Sequence, residues 1–226
     1  MKTINFSLWG SNPIYCVGMV KNCKLAEKFY PGWRINIWYS DVPNEILMQL
    51  KQFPYVFLFS SNAIIIPNAM WRFMQVPRDY DVMIIRDADS RFNERESLAV
   101  KEWLESGKTL HSMHDHPCHG GYGILAGMFG LRRTQLNMFE EMQKWVEKNR
   151  YHISDFNFDQ QFLNEVVYQK FKDDVFTHDS CFTHFPNSHR FPIPMKDYCF
   201  TGEKWYDNDT PFYQRQDWIG KKEVGY

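Results

Sequence analysis

Between Thr3 and Arg86, short apolar runs alternate with segments of helical period, and that alternation restricts the fold more than any other feature. Thr3–Trp9, Arg34–Tyr39, Tyr55–Phe59 and Asp81–Arg86 read as strands. A segment from about Pro13, a short one from Pro43, and Asn68 to about Val76 read as the intervening helices. Neighbouring parallel strands need such crossovers, so the expectation is an α/β protein: a mixed, mostly parallel sheet with helices on both faces. Further on, Asn93 opens an N-x-x-E capping box with Glu96 for a helix that ends at Gly107. Strands follow at Thr109–Met113 and Gly123–Leu131, then a helix capped by Thr134, another from around Asp159, and a last strand near Val175. With 226 residues the chain is about the size of one α/β unit, so a single domain is expected. Residues 1–185 would form its body, and 186–226, rich in Pro, Asn, Asp and aromatics, an irregular tail packed on it.

A formal net charge of −1 leaves no overall basic field for nucleic acid, while 44% hydrophobic and 17% aromatic residues can fill a core. No charged leader with an apolar stretch opens the chain, and no run approaches the roughly 20 apolar residues of a membrane span. Five cysteines are an odd number without a C-x-x-C pair, which suits reduced thiols and a cytoplasmic location. Cys16 and Cys23 fall with Met19 and Val20 on one helix face and are expected in the core.

The stretch "VMIIRDADSR", residues 82–91, ends an apolar strand in two carboxylates one residue apart. Side chains at i and i+2 of a strand share a side, so Asp87 and Asp89 can converge on a cation at the carboxyl end of the sheet, where such sheets bind ligands. The plainer reading is an Asx turn capping the next helix. Against it, charge beside a buried strand is expensive unless a cation or phosphate compensates it.

"SLWGSNPIY", "WRF" at Trp71–Phe73, "IIRDADSRFNERE", "HPCHGGYGILAGMFG" and "DQQFLNEV" occur in order. In this order and spacing the chain resembles small nucleotide-sugar glycosyltransferases of the GT-A fold, a group with members in bacteria and large algal viruses. The resemblance runs to about Asp179 and implies a Rossmann-type GT-A domain acting on a UDP-sugar donor and a saccharide or other hydroxyl acceptor. It implies that Asp87 and Asp89 hold Mn²⁺ or Mg²⁺ against the donor phosphates, with His178, or less aptly His184, as a third ligand. Leu8, Trp9 and Gly10 would meet the uracil, Ala88 the nucleotide, and Gly127 would leave room for the donor sugar. Arg72 and Arg86 can offset phosphate charge with forked hydrogen bonds, or form structural ion pairs. Asp115 is expected to bond a sugar hydroxyl. Asp159 and Asp115 are the catalytic candidates, Asp159 as general base in an inverting enzyme or, with Gln160, holding sugar hydroxyls in a retaining one.

Three other readings stand beside this one. His111, His114, His116 and His119 surround Asp115 and suggest a metallohydrolase, but in no metal-ligand order that such sites use. A D-x-D after an apolar strand also opens haloacid-dehalogenase phosphatases, where it normally ends the first strand instead of a later one. A non-catalytic sugar-nucleotide-binding module would keep the same fold without turnover.

Overall fold

The computed structural model describes residues 1–62, 65–75, 80–181, 185, 187–197 and 199–212. Seven strands form one sheet: β1 (Lys2–Trp9), β2 (Arg34–Ser40), β3 (Val56–Ser60), β4 (Val82–Arg86), β5 (Leu110–His114), β6 (Met128–Arg132) and β7 (Val175–Asp179). Their order is β3-β2-β1-β4-β6-β5-β7, and all pairings are parallel except those of β6. The mixed, mostly parallel sheet is therefore as expected. Because β6 runs backwards, its first residue, Met128, pairs with the last of β4, Arg86. The chain just before β6 is thereby delivered to the carboxyl end of β4.

The helices are α1 (Pro13–Phe29), α2 (Asn44–Leu50), α3 (Glu94–Ser106), α4 (Met138–Lys148) and α5 (Phe158–Phe162). A 3₁₀ helix spans Asn68–Phe73, and α5 continues through a π-helical stretch, Leu163–Tyr168. Asn12 caps α1 through the Ile14 N–H, with Pro13 in the first turn, where its missing N–H costs nothing. On one face of the sheet α1, α2 and α3 bury Ile4, Phe6, Ile35, Ile84 and Trp103; on the other the 3₁₀ helix, α4 and α5 bury Trp71, Ile85, Phe129 and Phe162. Cys16 and Cys23 lie in the first of these cores.

Three local expectations are corrected. The strand read from Gly123 starts only at Met128, because residues 123 and 124 are bonded to the Asn164 side chain instead of to a strand. The helix read from Thr134 is capped by Asn137; the Thr134 hydroxyl accepts from Leu136 N–H in a short turn. Asn93 does cap α3 through Glu96 N–H, but the Glu96 carboxylate turns away to Arg86 and Tyr30, so the reciprocal half of the capping box is missing. Among the described residues, no helix is long and apolar enough to cross a membrane.

Candidate active site

Strand alternation sends Val82, Ile84 and Arg86 toward α1 and α3, and Met83 and Ile85 toward the 3₁₀ helix and α5. Asp87 follows on the Met83 and Ile85 side, and there it meets Arg72. The strand has ended by then: Asp87 to Ser90 form a turn, closed by the Ser90 hydroxyl on the Asp87 carbonyl at 2.8 Å. Two carboxylates in a turn, not along a strand, is thus how the D-x-D pair is presented.

Arg72 gathers the site. Its backbone N–H donates to Ser7 Oγ at 2.9 Å, which fixes the 3₁₀ helix on β1. One guanidinium nitrogen donates to Asp87, the other to Asp159 Oδ2 at 2.9 Å. Three segments far apart in sequence are joined by one buried fork, a geometry that a lysine could not reproduce. Gly127 makes the arrangement possible, since a Cβ there would overlap the Asp87 carboxylate. Its space therefore belongs to Asp87, where the resemblance reserved it for the donor sugar.

Asp89 is largely buried, and desolvation, reinforced by the charge of Asp87, pushes its pKa up to about 6 against the opposing pull of Lys204. Lys204 Nζ stands 3.5 Å from Asp89 Oδ2, and Trp205 N–H donates to the Asp89 carbonyl at 2.8 Å. Lys204 also lies over the Tyr15 ring, 5.4 Å from its centroid. Tyr15, Leu8, Trp9 and Gly10 line a cleft of about 390 Å³, so the cleft at the end of β1 and the Asp89 turn adjoin through one ammonium. Gly10 has φ +69°, so the backbone turn itself calls for glycine there; a Cβ would meet nothing within 4 Å.

Five other expectations are corrected. Arg86 points into the α3 face, pairs with Glu96 at 2.6 Å and donates to the Ile85 and Phe129 carbonyls, which leaves it no access to phosphate. Ala88 packs on α1, where Asn22 binds its carbonyl and Gly18 is needed for the approach. Asp115 is fully buried; Arg95, Ser180 and Thr201 N–H occupy both its oxygens, so none is left for a hydroxyl. Gln160 is buried and gives its amide to Ala126 N–H and the Ile124 carbonyl, which turns it to holding the 124–126 loop instead of a sugar. His178 is buried, with one ring nitrogen 2.9 Å from His111 and the other 3.0 Å from Glu102, so neither is free for a metal. His184 lies outside the described residues.

The histidine-rich loop forms no metal centre either: His114 bonds Ser112 and the His119 carbonyl, His116 caps Cys118 N–H, and His119 accepts from Asp115 N–H. Among the described residues no three His, Cys, Asp or Glu side chains are placed to share a metal ion. Sequence reasoning missed Lys204. Its only signal was the Gly202–Glu203 dipeptide beside it; Gly202 turns the tail with φ +83° against Met128.

No protein-family model matches the chain, and no curated protein matches it in sequence. Solved structures do. An active-site mutant of LgtC aligns with a TM-score of 0.55 at 13% identity, over 97% of this chain and 99% of that one. The galactosyltransferase LgtC with donor and acceptor sugar analogues aligns at 0.49 and 12%, over 80% and 74%. The glycosyltransferase GlyE of Streptococcus pneumoniae aligns at 0.48 and 16%, over 77% and 45%. The full-length alignment carries the comparison, and at such identity it speaks for architecture. That alignment, over a mixed and mostly parallel sheet, shows the architecture: the chain has the fold of the GT-A nucleotide-sugar glycosyltransferases.

Proposed function

We propose that the protein is a metal-dependent glycosyltransferase that moves a sugar from a UDP-sugar to a hydroxyl acceptor, in glycan or polysaccharide assembly. The observation that carries this reading is the convergence of Asp87, Asp89, Asp159, Arg72 and Lys204 at the carboxyl end of the sheet. Charge of both signs is concentrated there at the edge of a cleft that can take a base and ribose.

The carboxylates fit a hard divalent cation. Mn²⁺ and Mg²⁺ accept one or two carboxylates and complete their shell with water and phosphate oxygens, so Asp87 and Asp89 suffice without a histidine. When bound, the cation would neutralise charge developing on the departing diphosphate. Lys204 supplies a second positive charge on the same side. Asp159 shares its charge with Arg72 through Oδ2, and Oδ1 has no bond among the described residues. We assign Oδ1 to a donor-sugar hydroxyl and the carboxylate to the positive charge that builds on the transferring carbon. The acceptor oxygen bonds to that carbon as UDP leaves with the electron pair, and the acceptor proton passes to the departing diphosphate oxygen or to water. Arg72 positions both carboxylates and touches no substrate in this scheme.

A haloacid-dehalogenase reading would have the D-x-D end the first strand of its domain, whereas here the pair follows β4. The test is calorimetric titration of UDP with Mn²⁺ and again with excess chelator. Binding is expected only with the metal, and Asp89→Ala should lose it while melting no lower than the wild type. Wild-type-like affinity in that variant would sink the assignment. Turnover of UDP-sugars then separates an enzyme from a binding module.

A further inference from the structure

We propose that Lys204 holds the cation seat at Asp89 while no nucleotide is bound, so that a divalent ion is admitted only together with the donor diphosphate, which draws the ammonium off the carboxylate. The inference rests on the metal-dependent reading above and adds an order of binding to it.

In the nucleotide-free fold each carboxylate of the D-x-D pair already has a counter-charge. Asp87 is paired with Arg72, and Asp89 with Lys204. The two cations are held differently. Arg72 is buried and its guanidinium is fixed by Asp87 and Asp159 together, so it belongs to the permanent frame. Among the described residues Lys204 forms an ion pair with Asp89 alone, at 3.5 Å, and its side chain is 30% exposed. Its ammonium lies over the rings of Tyr15 and Phe212, 5.4 and 5.0 Å from their centroids. A single long contact at the end of a flexible four-carbon stem is one that an ammonium can give up.

The surrounding charges decide when it does so. Arg91 spends its guanidinium on Asp209 and on the Ser90 and Tyr206 carbonyls, and Lys21 also pairs with Asp209. Over these ion pairs four cations, Lys21, Arg72, Arg91 and Lys204, face four carboxylates, Asp87, Asp89, Asp159 and Asp209. The site is thus neutral as it stands. A divalent ion arriving alone meets an Asp89 carboxylate that is only 15% exposed and carries an ammonium on Oδ2, and it brings charge that nothing there compensates. Arriving with a diphosphate that cancels its own charge, it leaves the balance intact and offers the ammonium new oxygens.

The fold lets Nζ move without moving the tail. Trp205 N–H donates to the Asp89 carbonyl, Tyr206 N–H to the Thr210 carbonyl and Phe212 N–H to the Lys204 carbonyl, each at 2.8 Å, while Asp209 stays tied to Lys21 and Arg91. Tyr15 also lines the cleft at the end of β1, so the ammonium rests against the wall of the space that a nucleotide would enter.

Mn²⁺ binding to the full chain without nucleotide, followed by electron paramagnetic resonance of the free ion at about pH 7.5, tests the order of binding. Lys204→Met keeps the stem over the two rings and removes the charge. It is expected to bind Mn²⁺ about ten-fold more tightly than the wild type, while its affinity for UDP in saturating Mn²⁺ gains nothing. Lys204→Arg restores the charge and should restore the weak Mn²⁺ binding. Should the methionine variant melt low in chelator, Lys204→Gln, which offers Asp89 a neutral donor, takes its place. Mn²⁺ affinity that is unchanged or lower in the neutral variant, or raised equally in Lys204→Arg, overturns the proposal; if wild-type UDP binding still requires Mn²⁺, the transferase reading stands without it. Wild-type protein that binds no UDP with Mn²⁺ overturns both.

Discussion

Gly127 and Asp89 show how single residues set the chemistry of this site. A methyl at position 127 would occupy the space of the Asp87 carboxylate, so Gly127→Ala must turn Asp87 off Arg72. The loss belongs to the site and not to the core: UDP affinity in Mn²⁺ is expected to fall by about ten-fold or more, while the melting temperature changes little. Asp89 carries the opposite burden. Its pKa in the fold, about 6, lies above that of an unfolded aspartate, so the folded state holds a proton that the unfolded one releases. Stability tied to that proton is present at low pH and lost as pH rises from about 4 through about 6. Asp89→Asn, measured by denaturant unfolding in chelator, should therefore be more stable than wild type at pH 7.5, by about 1–3 kcal/mol, and no better near pH 4. An equal gain at both values would mean that the carboxylate is not penalised by burial. The same residue that weakens the metal-free fold is the one that a cation would satisfy.

At the scale of elements, α5 and the edge of the sheet hold the scaffold around the site. Gln160 and Asn164 of "DQQFLN" grip residues 123–126 by their backbone, which sets Gly127 opposite Asp87. The π-helical stretch that follows brings Tyr168 against Gly123, where a side chain would collide. Across β5 and β7, His111 and His178 are bonded to each other and buried, and desolvation lowers the pKa of both. Above about pH 6.5 both are neutral folded or unfolded; below it the unfolded chain takes up protons that the fold refuses. Unfolding free energy should fall as pH drops from 7 to 5.5, by up to about 1.4 kcal/mol per unit for each histidine. His111→Gln should flatten that slope; an unchanged slope would show that other groups cause it.

For the molecule as a whole, the tail is part of the machinery. Phe191 and Phe200 are buried, Thr201 N–H completes the Asp115 network, and Lys204 and Trp205 reach the Asp89 turn. A chain ending at residue 192 loses the burial of Phe200 and at least two backbone hydrogen bonds, together about 3–5 kcal/mol. Its thermal transition should drop by several degrees or broaden; an unaltered melt would make residues 193–212 an appendage.

The sequence by itself determined the sheet and the turn. Alternating apolar runs placed β1, β2, β3 and β4 within a residue or two, because strand and helix periods are local properties of a buried face. The Asp87–Asp89 pair was visible for the same reason, as charge where a strand stops. The partners of those carboxylates were not visible. Arg72 and Arg86 look equivalent in sequence, and only the opposite faces of β4 send one to Asp87 and the other to Glu96. His178, Asp115 and Gln160 had the right chemistry in the right segments, yet packing gave each of them other partners. Lys204 came from the region with the least periodicity. Which residues meet depends on contacts between segments far apart in the chain, such as Lys21 with Asp209, and periodicity along the chain carries no information about those. Element type is a short-range property of the chain, whereas the assembly of a site from several strand ends is decided by how the layers pack.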